Sequence, residues 1–189
     1  MILYPQAKSL EEVDVLHALC KAKLNELGFT TIEAAALDSI RICSKDDPKY
    51  IIDATAAESI VIETYSNTLL FSYFPEESKA QRERMVLRFE SSDALTSLHT
   101  QMGFWGTAGV SYYREASHSC DLPFPEEIIE KAMERASSEI RKEYDVVNSL
   151  LDELPKIDAH VEKLTPEDSI KIVDVIVRLF SAKTGLECQ

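Results

Sequence analysis

The sequence predicts an α+β protein: an antiparallel sheet packed against an N-terminal helix and a long C-terminal helix, with a helical C-terminal extension. Three observations point there. Apolar residues recur at helical spacing near the N-terminus and again after Pro125. Between these stretches lie short runs rich in β-branched and aromatic residues, separated by turn-forming residues. Finally, 45% of the 189 residues are hydrophobic although the net charge is -13, a balance that fits a folded acidic domain and not a disordered tail. Residues 1–154 are assigned to the α+β domain and 155–189 to the extension.

A first helix is expected over residues 10–27, where Val13, Leu16, Cys20, Leu24 and Leu27 make one apolar stripe. Ser9 caps it, Glu11 and Glu12 favour its first turn, and Gly28 stops it. Residues 30–37 are ambiguous, with 31–36 fitting one more helical turn or two. Ser39-Ile40-Arg41-Ile42-Cys43 alternates like a strand, Lys45-Asp46-Asp47-Pro48 is a turn, and 50–53 reads as a short strand. The strongest β signal is the pair of runs 59–65 and 68–74 around Ser66-Asn67, which predicts a hairpin. A charged connector over 76–84 leads to a strand at 85–89. Ser92 and Asp93 then open a short helix with Leu95, Leu98 and Met102 on one face.

Residues 103–113 are rich in glycine and aromatics and read as a loop, with a second hairpin from 110–113 and 120–122. Pro125 starts the longest helix, whose stripe runs through Ile129, Met133, Ala136, Ile140, Tyr144, Val147, Leu151 and Leu154 to a stop or kink at Pro155. Thr165-Pro166-Glu167-Asp168 caps a last segment closed by Gly185. That segment is apolar on most sides, Val177 and Phe180 included, and its β-branched content leaves helix and strand both open.

Composition narrows the function. No apolar run approaches the roughly 20 residues needed to span a bilayer, and the N-terminus lacks the pattern of a signal peptide. Cys20, Cys43, Cys120 and Cys188 have no framework spacing, which suits reduced thiols in a cytoplasmic setting. The negative charge repels nucleic acid and anionic membranes and favours basic partners, although solubility alone also explains it. His17, Cys20, His118 and Cys120 offer two imidazoles and two thiols for zinc, but in neither pair at finger or ribbon spacing; core packing accounts for them better. No metal or cofactor is therefore expected. Catalytic elbows and zinc-protease motifs are missing, Gly103, Gly106 and Gly109 match no phosphate-binding loop, and no enzyme is expected.

Phe104, Trp105, Tyr112 and Tyr113 are the candidate partner contacts, read either as an exposed aromatic loop or as a turn whose rings cap the core. Val177 and Phe180 join them, because so apolar a last helix must pack on the domain, on its own copy or on a partner.

The order of helix, strands, helix, strands and long helix resembles the class I type III secretion chaperones. The similar stretches are Leu24-Asn25-Glu26-Leu27-Gly28-Phe29, the hairpin of residues 60–75, residues 95–109, and Asp121-Leu122-Pro123-Phe124 before the long helix. The chain departs from that pattern in the connector and strand at 76–89 and in the portion after Pro155. The resemblance implies a cytoplasmic, dimeric chaperone or adaptor that holds an extended effector segment. The expectation is a protein-binding module whose partner is an effector segment or a basic protein, with no direct nucleic-acid binding and no membrane insertion, acting as a homodimer or within a larger complex. The alternative is an acidic inhibitor or immunity protein that blocks a basic enzyme or a nucleic-acid-binding complex.

Overall fold

A computed structural model describes residues 12–79, 94–157 and 161–188. Helix follows helix throughout: α1 Glu12–Glu26, α2 Phe29–Ser44, a 3-10 turn Pro48–Tyr50, α3 Ile51–Tyr73, α4 Ala94–Met102, α5 Phe104–Ser119, α6 Glu126–Arg135, α7 Ser138–Leu151 and α8 Pro166–Thr184. Among the described residues there is no strand, so the expected α+β fold and its antiparallel sheet are overturned. The connector from residue 80 onward, the strand at 85–89 and the caps Ser9, Ser92 and Asp93 lie outside the described residues.

The predicted hairpin around Ser66-Asn67 is instead the centre of α3. Every residue from Thr64 to Phe71 is buried, so this stretch of the helix is enclosed on all sides, although its first turns expose Ile51 and Ile52. A helix with no solvent face loses the 3.6-residue alternation that marks helices, and its Ile, Val, Thr and Tyr content then imitates a strand. Three of its polar side chains bond back to the helix itself, whereas Ser66 Oγ and Asn67 Oδ1 are buried without a partner among the described residues. Thr64 Oγ1 donates to Ile60 O and Thr68 Oγ1 to Thr64 O, each at 2.9 Å, and Asn67 Nδ2 donates to Glu63 O at 2.7 Å. Back-bonding of this kind lets the Thr64 and Thr68 hydroxyls and the Asn67 amide N–H enter the core paired.

The alternating residues 39–43 are likewise helical, closing α2, and the supposed strand at 50–53 joins the 3-10 turn to α3. The turn signal between them holds. Lys45 and Asp46 adopt positive φ of 54° and 56°, and Asp47 accepts from Lys49 N at 3.1 Å ahead of Pro48. Gly28 separates α1 from α2 at φ 100°, a conformation only glycine adopts without strain.

The second predicted hairpin is also absent: residues 110–113 lie inside α5, and 120–122 are turn and irregular chain. The single long helix is two. Ala136 turns extended, at φ -69° and ψ 157°, and Ser137 caps α7 by accepting from Ile140 N at 3.2 Å. The stripe survives the break, with Ile129, Ala136, Ile140, Tyr144, Val147, Leu151 and Leu154 all buried.

α3 is the axis of the core. α1, α2, α5 and α8 pack against it, α7 packs on α5 and α8, and α4 lies on α5 and α6. The main cluster joins residues from α1, α2, α3, α5, α7 and α8, among them Phe29, Phe71, Leu151, Ile176 and Phe180. A smaller one joins Leu95, Val110, Ile129, Ala132 and Tyr144. α8 is a helix opened by a capping box of Thr165 and Asp168 and ended at Gly185. It buries Ile172, Val175, Ile176, Val177, Leu179 and Phe180, chiefly against α2 and α3. A disulfide joins Cys43 at the end of α2 to Cys188, beyond α8. The argument for a reducing compartment therefore loses two of its four thiols. Cys20 and Cys120 are not disulfide-bonded. No helix among the described residues is long and apolar enough to cross a membrane.

Candidate functional site

Three helices leave an apolar pocket of about 380 Å³ between them. α3 supplies Ala56, Ser59 and Ile60, α4 supplies Leu98 and Met102, and α5 supplies Trp105, Gly106, Gly109, Tyr112 and Tyr113. Each set follows helical spacing, so each helix offers one face. The two glycines make the space. A Cβ on Gly106 would stand 2.6 Å from Leu98 O, so α4 and α5 approach this closely only with glycine there. Gly109 meets nothing nearer than Tyr112 Cε1 at 3.9 Å, which leaves an open floor in the wall of α5.

The aromatic wall is held from behind. Trp105 Nε1 donates to Asp53 Oδ1 at 2.8 Å, tying α5 to the first turn of α3. Phe104 is buried and meets Trp105 edge-on at 4.9 Å. The Tyr112 and Tyr113 rings stack at 4.8 Å, and Tyr113 leans on Phe71 at 6.3 Å. Met102, 58% exposed, forms the lip. The wall is thus a set of locked rings with one adaptable thioether at its mouth.

Of the residues singled out from the sequence, Trp105, Tyr112 and Tyr113 line this pocket and Phe104 backs it. They stand on a helix and not on a loop. Val177 and Phe180 are elsewhere, in the core, where Phe180 meets Tyr50 edge-on at 5.8 Å. Sequence reasoning missed Ile60, Leu98, Met102 and the role of the glycines. The signal was present: positions 105, 109, 112 and 113 share a helical face.

The residues weighed for zinc make other contacts. His17 Nε2 lies 3.2 Å from Glu63 Oε2, and His118 Nε2 lies 2.9 Å from Glu126 Oε1. Cys20 is buried, and desolvation pushes its thiol up to about 11, away from the thiolate a metal needs. Cys120 Sγ donates to Thr68 O at 3.3 Å. Another polar cluster lies beside α5, where Arg114 reaches Asp152 at 3.1 Å and Glu126 at 3.7 Å. Burial, and next to it the Asp152 carboxylate, raise Glu115 despite a hydrogen bond from Ser119.

No family model, no curated protein and no solved structure matches this chain.

Proposed function

We propose that this protein is a non-enzymatic, acidic helical module that binds a basic amphipathic segment of another protein in the α3–α4–α5 pocket. The observation that carries this reading is the aromatic wall. Trp105, Tyr112 and Tyr113 face an opening of about 380 Å³ beside an exposed methionine, a surface suited to receiving apolar anchor side chains. Charge selects the occupant. A chain of net charge -13, with the Asp53 carboxylate bonded to Trp105 behind the pocket wall, attracts cationic segments and repels acidic ones. The element order behind the chaperone resemblance is not the one observed, so the reading rests on the pocket and the charge alone.

Trp105 is the only tryptophan, so its fluorescence reports on the pocket. Titration with a synthetic Leu/Lys amphipathic peptide should shift Trp105 emission to saturation. Affinity should fall as salt is added, and a Leu/Glu peptide should be inert. Gly109→Leu places a side chain in the open floor and should abolish the shift while the far-UV spectrum stays helical. Emission that ignores the peptide, or a Gly109→Leu variant that binds like the parent, would sink the proposal.

A further inference from the structure

A second set of side chains lies outside the pocket. His99 on α4 and Glu139 and Glu143 on α7 each offer one ligand atom, and these atoms all lie within 4.8 Å of one another. No other group of three or more His, Cys, Asp or Glu residues among the described residues is gathered this closely. We propose that His99, Glu139 and Glu143 form a binding site for one divalent first-row transition metal ion that bridges α4 and α7.

Local structure builds the set. Glu139 and Glu143 are four apart on α7, so both carboxylates project from one helix face, one turn apart. The cap at Ser137 sets where that helix begins, and so which way this face points. α5 packs against both α4 and α7 and brings His99 across to them. His99 Nε2 then lies 3.0 Å from Glu143 Oε2. Both side chains are about four-fifths buried, at 21% and 20% exposure, whereas Glu139 is exposed at the mouth.

Three features favour a metal over a simple ion pair. First, an ion pair needs one carboxylate. The second leaves the group negative even with His99 protonated, and a divalent cation neutralises that excess where a proton cannot. Second, the carboxylate that meets His99 is oriented from beneath. Thr107, 1% exposed, donates its hydroxyl to the same Glu143 oxygen at 3.5 Å, as outer-shell partners do in metal sites. Third, the distances are close to those required. Ligands about 2.1 Å from a tetrahedral metal stand about 3.4 Å from each other. His99 and Glu143 need part by only a few tenths of an ångström, and the exposed Glu139 closes by a rotamer change. One imidazole with two carboxylates selects zinc, cobalt, manganese or iron over calcium or magnesium, which take oxygen alone. Three protein ligands leave a coordination position open to water.

The test uses the whole chain, with Zn²⁺ by calorimetry and Co²⁺ by visible absorption. The expected result is one Zn²⁺ per chain, a Co²⁺ spectrum with d–d bands of a low-coordinate site, and a rise in melting temperature on loading. Glu139→Gln changes an exposed side chain and should keep the parent's melting curve without metal, yet lose at least about tenfold in affinity. His99→Ala should abolish the Co²⁺ bands. Thr107→Val should weaken binding with stoichiometry unchanged. No saturable uptake at micromolar metal would overturn the site. Uptake that is equal in the parent, Glu139→Gln and His99→Ala would do the same, since the metal would then sit elsewhere.

Discussion

Glu63 shows how one side chain ties two helices together. It stands on α3, where His17 and Lys21 of α1 both reach it, Lys21 through a short hydrogen bond. Burial raises its carboxyl, but the bonds and charges of His17 and Lys21 outweigh that and leave it below the ordinary value of 4.5. A carboxylate held down in the fold adds stability above its unfolded value, and the contribution disappears as pH falls through the folded one. Glu63→Gln should therefore cost about 1–2 kcal/mol at pH 7, allowing for partial exposure. The difference in melting temperature between parent and variant should shrink as pH is lowered below the ordinary value of 4.5 and Glu63 takes up its proton. A gap that stays constant as the pH is lowered would mean that the ion pairs contribute nothing. None of this was readable in the sequence, because residues 17, 21 and 63 meet only through packing. The aromatic residues at 105, 112 and 113 were readable as a contact cluster, since their types and proximity along the chain identify them without the fold.

α3 is the element on which sequence and structure part most sharply. Of the elements with a wet side, α1 and α8 were legible, while α2 was read in part as a strand and α5 as a loop and hairpin. α1 carries its stripe, and α8 carries its Thr165 cap and Gly185 stop, because a solvent face writes polar residues at helical intervals. α3 has little such face between Thr64 and Phe71, so only its composition could speak, and that composition reads as strand. The break at Ala136–Ser137 was hidden for a different reason. Its two sides bury the same stripe, and the cap is a single serine without glycine or proline. One substitution separates the two readings of α3. Asn67→Gly would sharpen a Ser-Asn hairpin turn, but in the middle of a buried helix it costs about 1 kcal/mol in backbone entropy and loses the bond to Glu63 O. Urea denaturation should show destabilisation by about 1–3 kcal/mol. A more stable variant would restore the hairpin.

The core of the whole molecule includes a helix that the sequence set apart as an extension. α8 lies against α2, α3 and α7, and its apolar face is covered by the chain itself. The Cys43–Cys188 bond then joins residues 145 apart in sequence. A cross-link that closes so long a loop removes freedom mainly from the unfolded chain. Cys43→Ser/Cys188→Ser should therefore lower stability by about 3–5 kcal/mol in urea denaturation, and the parent with reductant should match it. Parent curves that coincide with and without reductant would show that the bond does not form. The bond also gives the polypeptide the topology of a ring with a tail. The ring holds everything from Cys43 to Cys188, which includes α3 to α8, while α1 and most of α2 form the tail. A protease that cuts the ring once opens it but divides nothing. The nicked molecule keeps its full mass on a gel run without reductant and falls into two pieces only when the bond is reduced. A single cut in the tail, ahead of Cys43, releases a fragment under either condition.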